Sequence, residues 1–193
     1  MVVVVRVVVL GSWGLWGLLW FFIMRIGAPR WSGEAMASVV LAFVSIEAVA
    51  RAVIFHPDWP ELFVCPWWLR VGGMLILVSS LLFTLWAVFH LGLMWQWGPA
   101  FGVPRRLCTE GPYAMVRHPA YLGLFGMCLG TAFAVGLWAP LWLPAIAALV
   151  FAVRIRVEER QLRQAFPDSY PRYCRAVPRV LPRRRRDLRH TGP

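Results

Sequence analysis

The chain contains no lysine, so all 20 of its basic residues are arginine. Charged residues of both signs make up only 15% of its 193 residues, whereas 60% are hydrophobic. A water-soluble fold of this length could not hide so much apolar side chain in one modest core. The composition therefore points to lipid as the main solvent and disfavours a soluble enzyme.

Patterns that mark cofactor or metal sites in soluble proteins are also missing. The cysteines form no C-x-x-C pair and the histidines are far apart, so neither a disulfide framework nor a zinc site is indicated. No G-x-G-x-x-G turn between a strand and a helix is present, which excludes a Rossmann-like way of holding a cofactor. We expect no bound metal, and for His90 we favour a hydrogen bond between helices over a catalytic role.

The apolar residues come in blocks long enough to cross a bilayer, which takes about 20 residues of helix. Residues 2–24, 34–55 and 69–97 each form one such block. Residues 119–153 are almost uncharged and too many for one straight crossing, so we expect two short helices that turn near Gly136. The sequence thus predicts an all-α integral membrane bundle of about five transmembrane helices, the last two of which form a tight hairpin.

The arginine distribution orients this bundle. A hairpin returns the chain to its starting side, so the polar stretch of residues 98–118 and the C-terminal tail share one side of the membrane. Both are rich in arginine, which places them in the cytoplasm by the positive-inside rule. The loop with Asp58 and Glu61 then falls outside, as does the N-terminus. We expect the cytoplasmic membrane in a prokaryote or the endoplasmic reticulum in a eukaryote.

The formal charge of +11 describes the C-terminal part of the chain, because 12 of the arginines lie at or beyond Arg154. Such a segment could bind nucleic acid. Beside hydrophobic spans it more often contacts the anionic headgroups of the inner leaflet, which is the interpretation we favour. We therefore expect a cytoplasmic amphipathic helix from Arg154 onward, then a basic tail over residues 183–193.

Residues 109–123, TEGPYAMVRHPAYLG, are the most informative segment. The proline hinders a helical continuation through Arg117 and His118, and Pro119 can itself be the first residue of the next helix. The start of that helix offers free N–H groups and a partial positive charge, which suits a carboxylate or another anion. An isolated R-H-P more often only anchors a helix at the membrane interface.

A second polar cluster is RIRVEERQLRQAF, residues 154–166. Arg154 and Glu158 are four residues apart on one helix face, where each could hold a different ligand group. Taken alone, the segment would be explained as a basic amphipathic helix on a membrane surface. Two adjacent acids, Glu158 and Glu159, gain nothing from anionic lipid, and this favours a further role.

Together with the ending FPDSYPRYCRAVPRVLP, these segments resemble the isoprenylcysteine carboxyl methyltransferase family and the broader group that includes phospholipid methyltransferases. The likeness covers residues 107–182. It consists of G-P-Y, R-H-P-x-Y-x-G, a hydrophobic hairpin, E-E-x-x-L-x-x-x-F and Y-x-x-Y-x-x-x-V-P-R. Several motifs in the same order make the resemblance specific.

The resemblance implies S-adenosylmethionine as the methyl donor, with S-adenosylhomocysteine as its product. Glu158 would bind the donor and Arg154 the carboxylate of the acceptor, so these two are the candidate catalytic residues. A further part of the wall of the donor site would be formed by Arg105, Arg106, Leu107 and Cys108. The remaining implied donor contacts are Tyr113, His118, Pro119, Ala120 and Tyr121.

The chemistry of the residues favours a carboxylate acceptor. A carboxylate is ionised near neutral pH and needs no general base, and arginine can hold it by a two-point contact. We therefore expect O-methylation of a lipophilic, isoprenylcysteine-like acceptor. N-methylation of a phospholipid amine remains an alternative that would need His118 or a glutamate as base. Two further alternatives are thiol S-methylation and a non-catalytic membrane scaffold with a basic docking tail.

The chain is accordingly divided into three parts. Residues 1–97 are expected to form three N-terminal transmembrane helices. Residues 98–182 are expected to form a catalytic region with the polar loop, the helical hairpin and a cofactor-binding C-terminal segment, and its active site would face the cytoplasm. The basic tail follows. The prediction depends on the R-H-P corner and the helix with the two glutamates folding against each other.

Overall fold

The computed structural model describes residues 2–26, 66–91, 107–135 and 142–181. Six helices lie within these ranges, and no strand does, which confirms the all-α prediction. The predicted second span, the turn of the hairpin and the basic tail fall outside the described residues. The helices are α1 (Val2–Ile26), α2 (Trp67–Leu91), α3 (Pro112–Met115), α4 (Pro119–Val135), α5 (Trp142–Ala165) and α6 (Ser169–Ala176).

Within the described residues, α2 is the one helix that passes a test of length and composition for crossing a membrane. Large apolar side chains on α2 face outward, with Trp67, Leu75, Leu82 and Phe89 each at least 60% exposed. Monomeric soluble proteins rarely expose contiguous apolar surface of this kind, whereas lipid tolerates it. One membrane-spanning helix is therefore supported, and the bundle of about five spans stays a prediction.

Helices α2 and α4 run antiparallel in close contact. Gly73 near the start of α2 lies beside Ala134 near the end of α4, and Thr84 near the end of α2 lies beside Gly123 near the start of α4. Glycine permits this approach because it carries no side chain, as is common between membrane helices. The pairing brings the end of α2 to the beginning of α4.

Gly130→Ala should lower the melting temperature, because a Cβ there would lie 2.5 Å from the backbone nitrogen of Leu77 and 2.8 Å from the carbonyl oxygen of Gly73. Overpacking of this kind costs about 1–3 kcal/mol. Thermal unfolding in detergent, followed by circular dichroism, measures the change. In the control Gly72→Ala the added methyl group meets nothing within 4 Å, so its melting temperature should be unchanged or higher. Equal losses in the two variants would contradict the packing argument.

Helix α1 packs on this pair through a buried layer. The indole Nε1 of Trp13 donates a hydrogen bond of 3.0 Å to Thr131 Oγ1 on α4. Val5, Val9 and Trp16 of α1 join the same buried cluster. Buried polar groups must find partners in an apolar interior, and the Trp13 bond satisfies this requirement.

Helix α5 runs back along α4, so that the ring of Phe151 lies 5.3 Å from the ring of Tyr121. The sequence analysis placed a boundary near residue 153 between the last span and an amphipathic helix. The structure instead has one continuous helix, because residues 145–166 contain neither glycine nor proline. The helix ends at Ala165, where Pro167 disfavours continuation. The polar end of α5 thereby reaches the start of α4.

Helix α6 folds under this junction. Its inward residues, Tyr170 and Tyr173, form a buried cluster that includes Leu107 and Leu162. Tyr173 Oη donates a hydrogen bond of 2.7 Å to the carbonyl oxygen of Tyr113. The hydrogen bond therefore joins the C-terminal segment to α3, the short helix that precedes α4.

Candidate active site

The R-H-P corner is held by backbone hydrogen bonds to the C-terminal segment. The Arg117 N–H donates to the Pro178 carbonyl oxygen at 2.9 Å, and the His118 N–H donates to the Arg179 carbonyl oxygen at 3.2 Å. Helix α4 begins at Pro119, which confirms the predicted helix start. The His118 ring is consequently fixed at the mouth of α4 and is almost fully buried.

The turn before this corner depends on a glycine. Gly111 has a φ of 57°, in the left-handed region that favours glycine. A Cβ at Gly111 would also lie 2.7 Å from Nε2 of His90, so the space is already occupied. His90 therefore lies against the loop at the edge of the site.

Glu158 faces the corner from α5. Its Oε2 lies 3.8 Å from His118 Nδ1, and its side chain is 34% exposed. The Tyr121 hydroxyl is within hydrogen-bonding reach of both Glu158 and Arg154. Tyr113 is close enough for the charge of Glu158 to act on its hydroxyl. The structure thus brings together residues that sequence analysis proposed from two separate motifs.

Arg154 lies one helical turn before Glu158, and its positive charge interacts with the Glu158 carboxylate. Its Nη2 atom is buried and donates no hydrogen bond to any described residue. A buried charged donor without an acceptor is costly unless a ligand supplies one. The guanidinium can therefore donate hydrogen bonds to an anionic ligand group at this position.

The other predicted contacts are distributed around this centre. Pro119 and Ala120 are buried in the first turn of α4. Cys108 packs beside the buried cluster that contains Tyr113, whereas Leu107 packs under the C-terminal helix. Arg105 and Arg106 lie outside the described residues.

Glu159 has a different environment from its neighbour Glu158, and the sequence analysis assigned Glu159 no specific role. Its side chain is completely buried, with Oε1 2.8 Å from Arg117 Nη1. Arg179 makes a two-point contact to it, from Nε at 3.0 Å and from Nη2 at 2.6 Å, and Arg163 adds a bond of 3.3 Å. Only the Arg163 spacing of four residues was visible in the sequence, because Arg117 and Arg179 are distant along the chain.

The electrostatics of this cluster keep Glu159 ionised. Burial alone would raise the pKa of Glu159, but the His118 ring at 3.5 Å, the hydrogen bonds from Arg179 and the charge of Arg117 outweigh it. The pKa is lowered to about 2. The ionised form of Glu159 is therefore part of the folded state at neutral pH.

Acid should weaken the fold through Glu159. Its folded pKa lies below the ordinary value of 4.5, so the carboxylate contributes stability that is present above about pH 4.5 and is lost as the pH falls towards 2. Melting temperatures in detergent, from about pH 7 down to about pH 3, measure this loss. The wild type should lose more than Glu159→Gln, whose amide does not titrate in this range. Parallel curves for the two proteins would contradict the assignment.

Comparison with known proteins identifies the family of the chain. A model of the phospholipid methyltransferase family matches residues 68–169, just over half of the chain. The chain belongs to the phospholipid methyltransferase family. The matched range includes His118, Arg154 and both glutamates, whereas Arg179 lies beyond its end.

Curated relatives extend this likeness. Protein-S-isoprenylcysteine O-methyltransferase of Schizosaccharomyces pombe is 40% identical over 77 residues, which are 39% of this chain and 33% of the relative. Protein-S-isoprenylcysteine O-methyltransferase B of Arabidopsis thaliana is 28% identical over 146 residues, 72% of this chain and 70% of the relative. Cobalt-zinc-cadmium resistance protein CzcN of Cupriavidus metallidurans is 31% identical over 153 residues, 75% of this chain and 61% of the relative. The matches thus span from one third to about 70% of these relatives.

Proposed function

We propose that this member of the phospholipid methyltransferase family is an integral membrane methyltransferase. It uses S-adenosylmethionine to O-methylate the carboxylate of a lipophilic, isoprenylcysteine-like acceptor. The observation that carries the choice of acceptor is the buried Arg154 Nη2 atom without a hydrogen-bond acceptor among the described residues. The names of the relatives from Schizosaccharomyces pombe and Arabidopsis thaliana support the same chemistry.

The residues at the start of α4 suit the methyl donor. S-adenosylmethionine supplies an electrophilic methyl group on a sulfonium together with a free amino acid end. Glu158 is a partly exposed carboxylate that can bind a cationic or hydroxyl group. The start of the 17-residue α4 presents N–H groups to an anion beside it. Tyr113 and His118 complete the wall that would hold the donor.

Arg154 would orient the acceptor. Its guanidinium can bind both carboxylate oxygens, which determines which lone pair faces the methyl group. Leu149 and Val153, which precede it on α5, are 68% and 51% exposed. A lipophilic chain can therefore approach along the apolar part of α5 while its carboxylate reaches Arg154. Alignment of the reacting atoms and exclusion of water would account for most of the rate.

The proposed reaction needs no general base, because the acceptor carboxylate is already ionised at neutral pH. An amine acceptor would have to lose a proton first. His118 lies 3.8 Å from Glu158, and this pair could remove that proton, so phospholipid N-methylation is the second candidate. The family is described as phospholipid methyltransferase, which is a further reason to test a phospholipid acceptor.

The membrane arrangement belongs to the same proposal. The active site would face the cytoplasm at the polar end of α5, with about five spans overall. Exposed arginines near this end, such as Arg156 and Arg160, would contact anionic headgroups of the inner leaflet. The basic tail over residues 183–193 would strengthen this contact without taking part in the reaction.

An acceptor panel tests the proposal. Purified protein in detergent is incubated with methyl-labelled donor and a prenylated cysteine, a phosphatidylethanolamine or a lipophilic thiol. We expect label in the prenylated cysteine as an ester that alkali releases as methanol. Alkali-stable label in the phospholipid would instead establish the N-methyltransferase. Label in none of the three, with no binding of S-adenosylhomocysteine, would refute the enzyme proposal.

A further inference from the structure

The two adjacent glutamates of α5 face different partners. Successive residues of a helix are about 100° apart, so the two neighbouring side chains point in different directions. Glu158 faces Tyr121 and the near edge of His118. Glu159 points towards three arginines, Arg117, Arg163 and Arg179, and has no exposed side-chain surface.

Both oxygens of Glu159 are already occupied by protein groups. Arg179 binds Oε1 through Nε and Oε2 through Nη2, while Arg117 lies 2.8 Å from Oε1. Arg163 adds a longer bond to Oε2. A donor molecule could bind Glu159 only by displacing these contacts. Its role therefore differs from the donor binding that the resemblance implies for Glu158.

The arginines that Glu159 binds belong to two segments that meet at His118. Arg117 immediately precedes His118, and Arg179 contributes the carbonyl oxygen that accepts the His118 N–H at 3.2 Å. The His118 ring itself lies between the carboxylates, 3.8 Å from Glu158 and 3.5 Å from Glu159. Glu159 thus links α5 to both of the backbone segments that fix the His118 ring.

We propose that Glu159 is a positioning residue: it holds the His118 corner of α4 at the correct distance from Glu158 and Arg154 without touching donor or acceptor. This inference rests on the proposed methyltransferase function for its kinetic consequences. The link requires a charge, because a neutral side chain would leave the largely buried Arg117 guanidinium without a counter-ion. A small displacement of the corner would then misalign the reacting groups.

The test compares Glu159→Gln with Arg179→Gln, which breaks the same link from an exposed residue, and with the double variant. We expect each single variant to lower kcat at saturating donor and acceptor by about 10-fold to 100-fold, because misplacement of about 1 Å can cost this much. The double variant should be no slower than Glu159→Gln alone, since that variant already disrupts the Arg179 contact. The affinity for S-adenosylhomocysteine should change by less than about threefold in each, because no bond to the ligand is lost.

Hydrogen exchange supplies a readout that does not need turnover. Residues 113–121 and 169–181 should exchange faster in Glu159→Gln and Arg179→Gln, and at the wild-type rate in Arg160→Gln, an exposed control on the same helix. Wild-type kcat in Glu159→Gln, additive losses in the double variant, or unchanged exchange would each overturn the inference. Loss of S-adenosylhomocysteine binding without a change in exchange would make Glu159 a ligand instead. A wild type without turnover would refute the methyltransferase proposal, and the exchange rates would still decide whether Glu159 fixes the corner.

Discussion

Arg154→Ala should lower kcat/KM for a carboxylate acceptor by at least about 100-fold, because it removes a charged, two-point contact, and each hydrogen bond to a charged group contributes about 1.5–3 kcal/mol. Arg154→Lys should recover little of the loss, since an ammonium group cannot make the planar contact. The measurement is initial rate against acceptor concentration at saturating donor. Binding of S-adenosylhomocysteine, measured by calorimetry, should remain within about threefold of the wild type.

Arg156→Ala is the matched control for this prediction. Arg156 is exposed and lies two residues further along α5, and its replacement by alanine removes the same charge. Its kcat/KM should remain close to that of the wild type. Unchanged turnover in Arg154→Ala would rule out the proposed carboxylate contact. If Arg154→Ala weakened S-adenosylhomocysteine binding as much as it lowered kcat/KM, Arg154 would instead be assigned to the donor site.

The local parts of the site could be predicted because short sequence spacings encode them. Pro119 predicted the start of α4, and a spacing of four residues placed Arg154 and Glu158 on one face of α5. The meeting of Glu158 with His118 followed from the hairpin and the family resemblance together. Each of these predictions depends on contacts within a segment or between two neighbouring helices.

The contacts between distant segments could not be predicted. Tyr173 binds the backbone of Tyr113 from 60 residues away, and Arg179 binds Glu159 across 20 residues. Which of two adjacent glutamates faces the arginines depends on the rotation of α5 about its axis, which hydrophobic periodicity does not resolve at a polar helix end.

The packing of the glycines shows the same limit. The sequence shows Gly123, Gly126 and Gly130 on an apolar helix, but it does not identify the helix that fills the space beside them. The structure places Ser80, Thr84 and other residues of α2 there. A spacing of small residues therefore indicates close approach without indicating the partner.

Glu158→Gln should weaken binding of S-adenosylhomocysteine by about 10-fold or more, because an amide has the shape of the carboxylate but loses its charge and one acceptor. Glu158 is suited to this test, since its side chain is 34% exposed and is not enclosed by the arginines that bind Glu159. Calorimetry on purified protein in detergent measures the dissociation constant directly. The result also separates an enzyme from a membrane scaffold, for which no binding is expected even in the wild type.

Asp168→Asn is the control, because it removes one negative charge at an exposed turn before α6 and conserves the side-chain shape. Its dissociation constant should match that of the wild type. Equal weakening in Asp168→Asn would show that net charge, rather than a contact at Glu158, governs binding. Wild-type affinity in Glu158→Gln would remove Glu158 from the donor site, and the pocket would then have to be built from Tyr113, His118 and the start of α4 without a carboxylate.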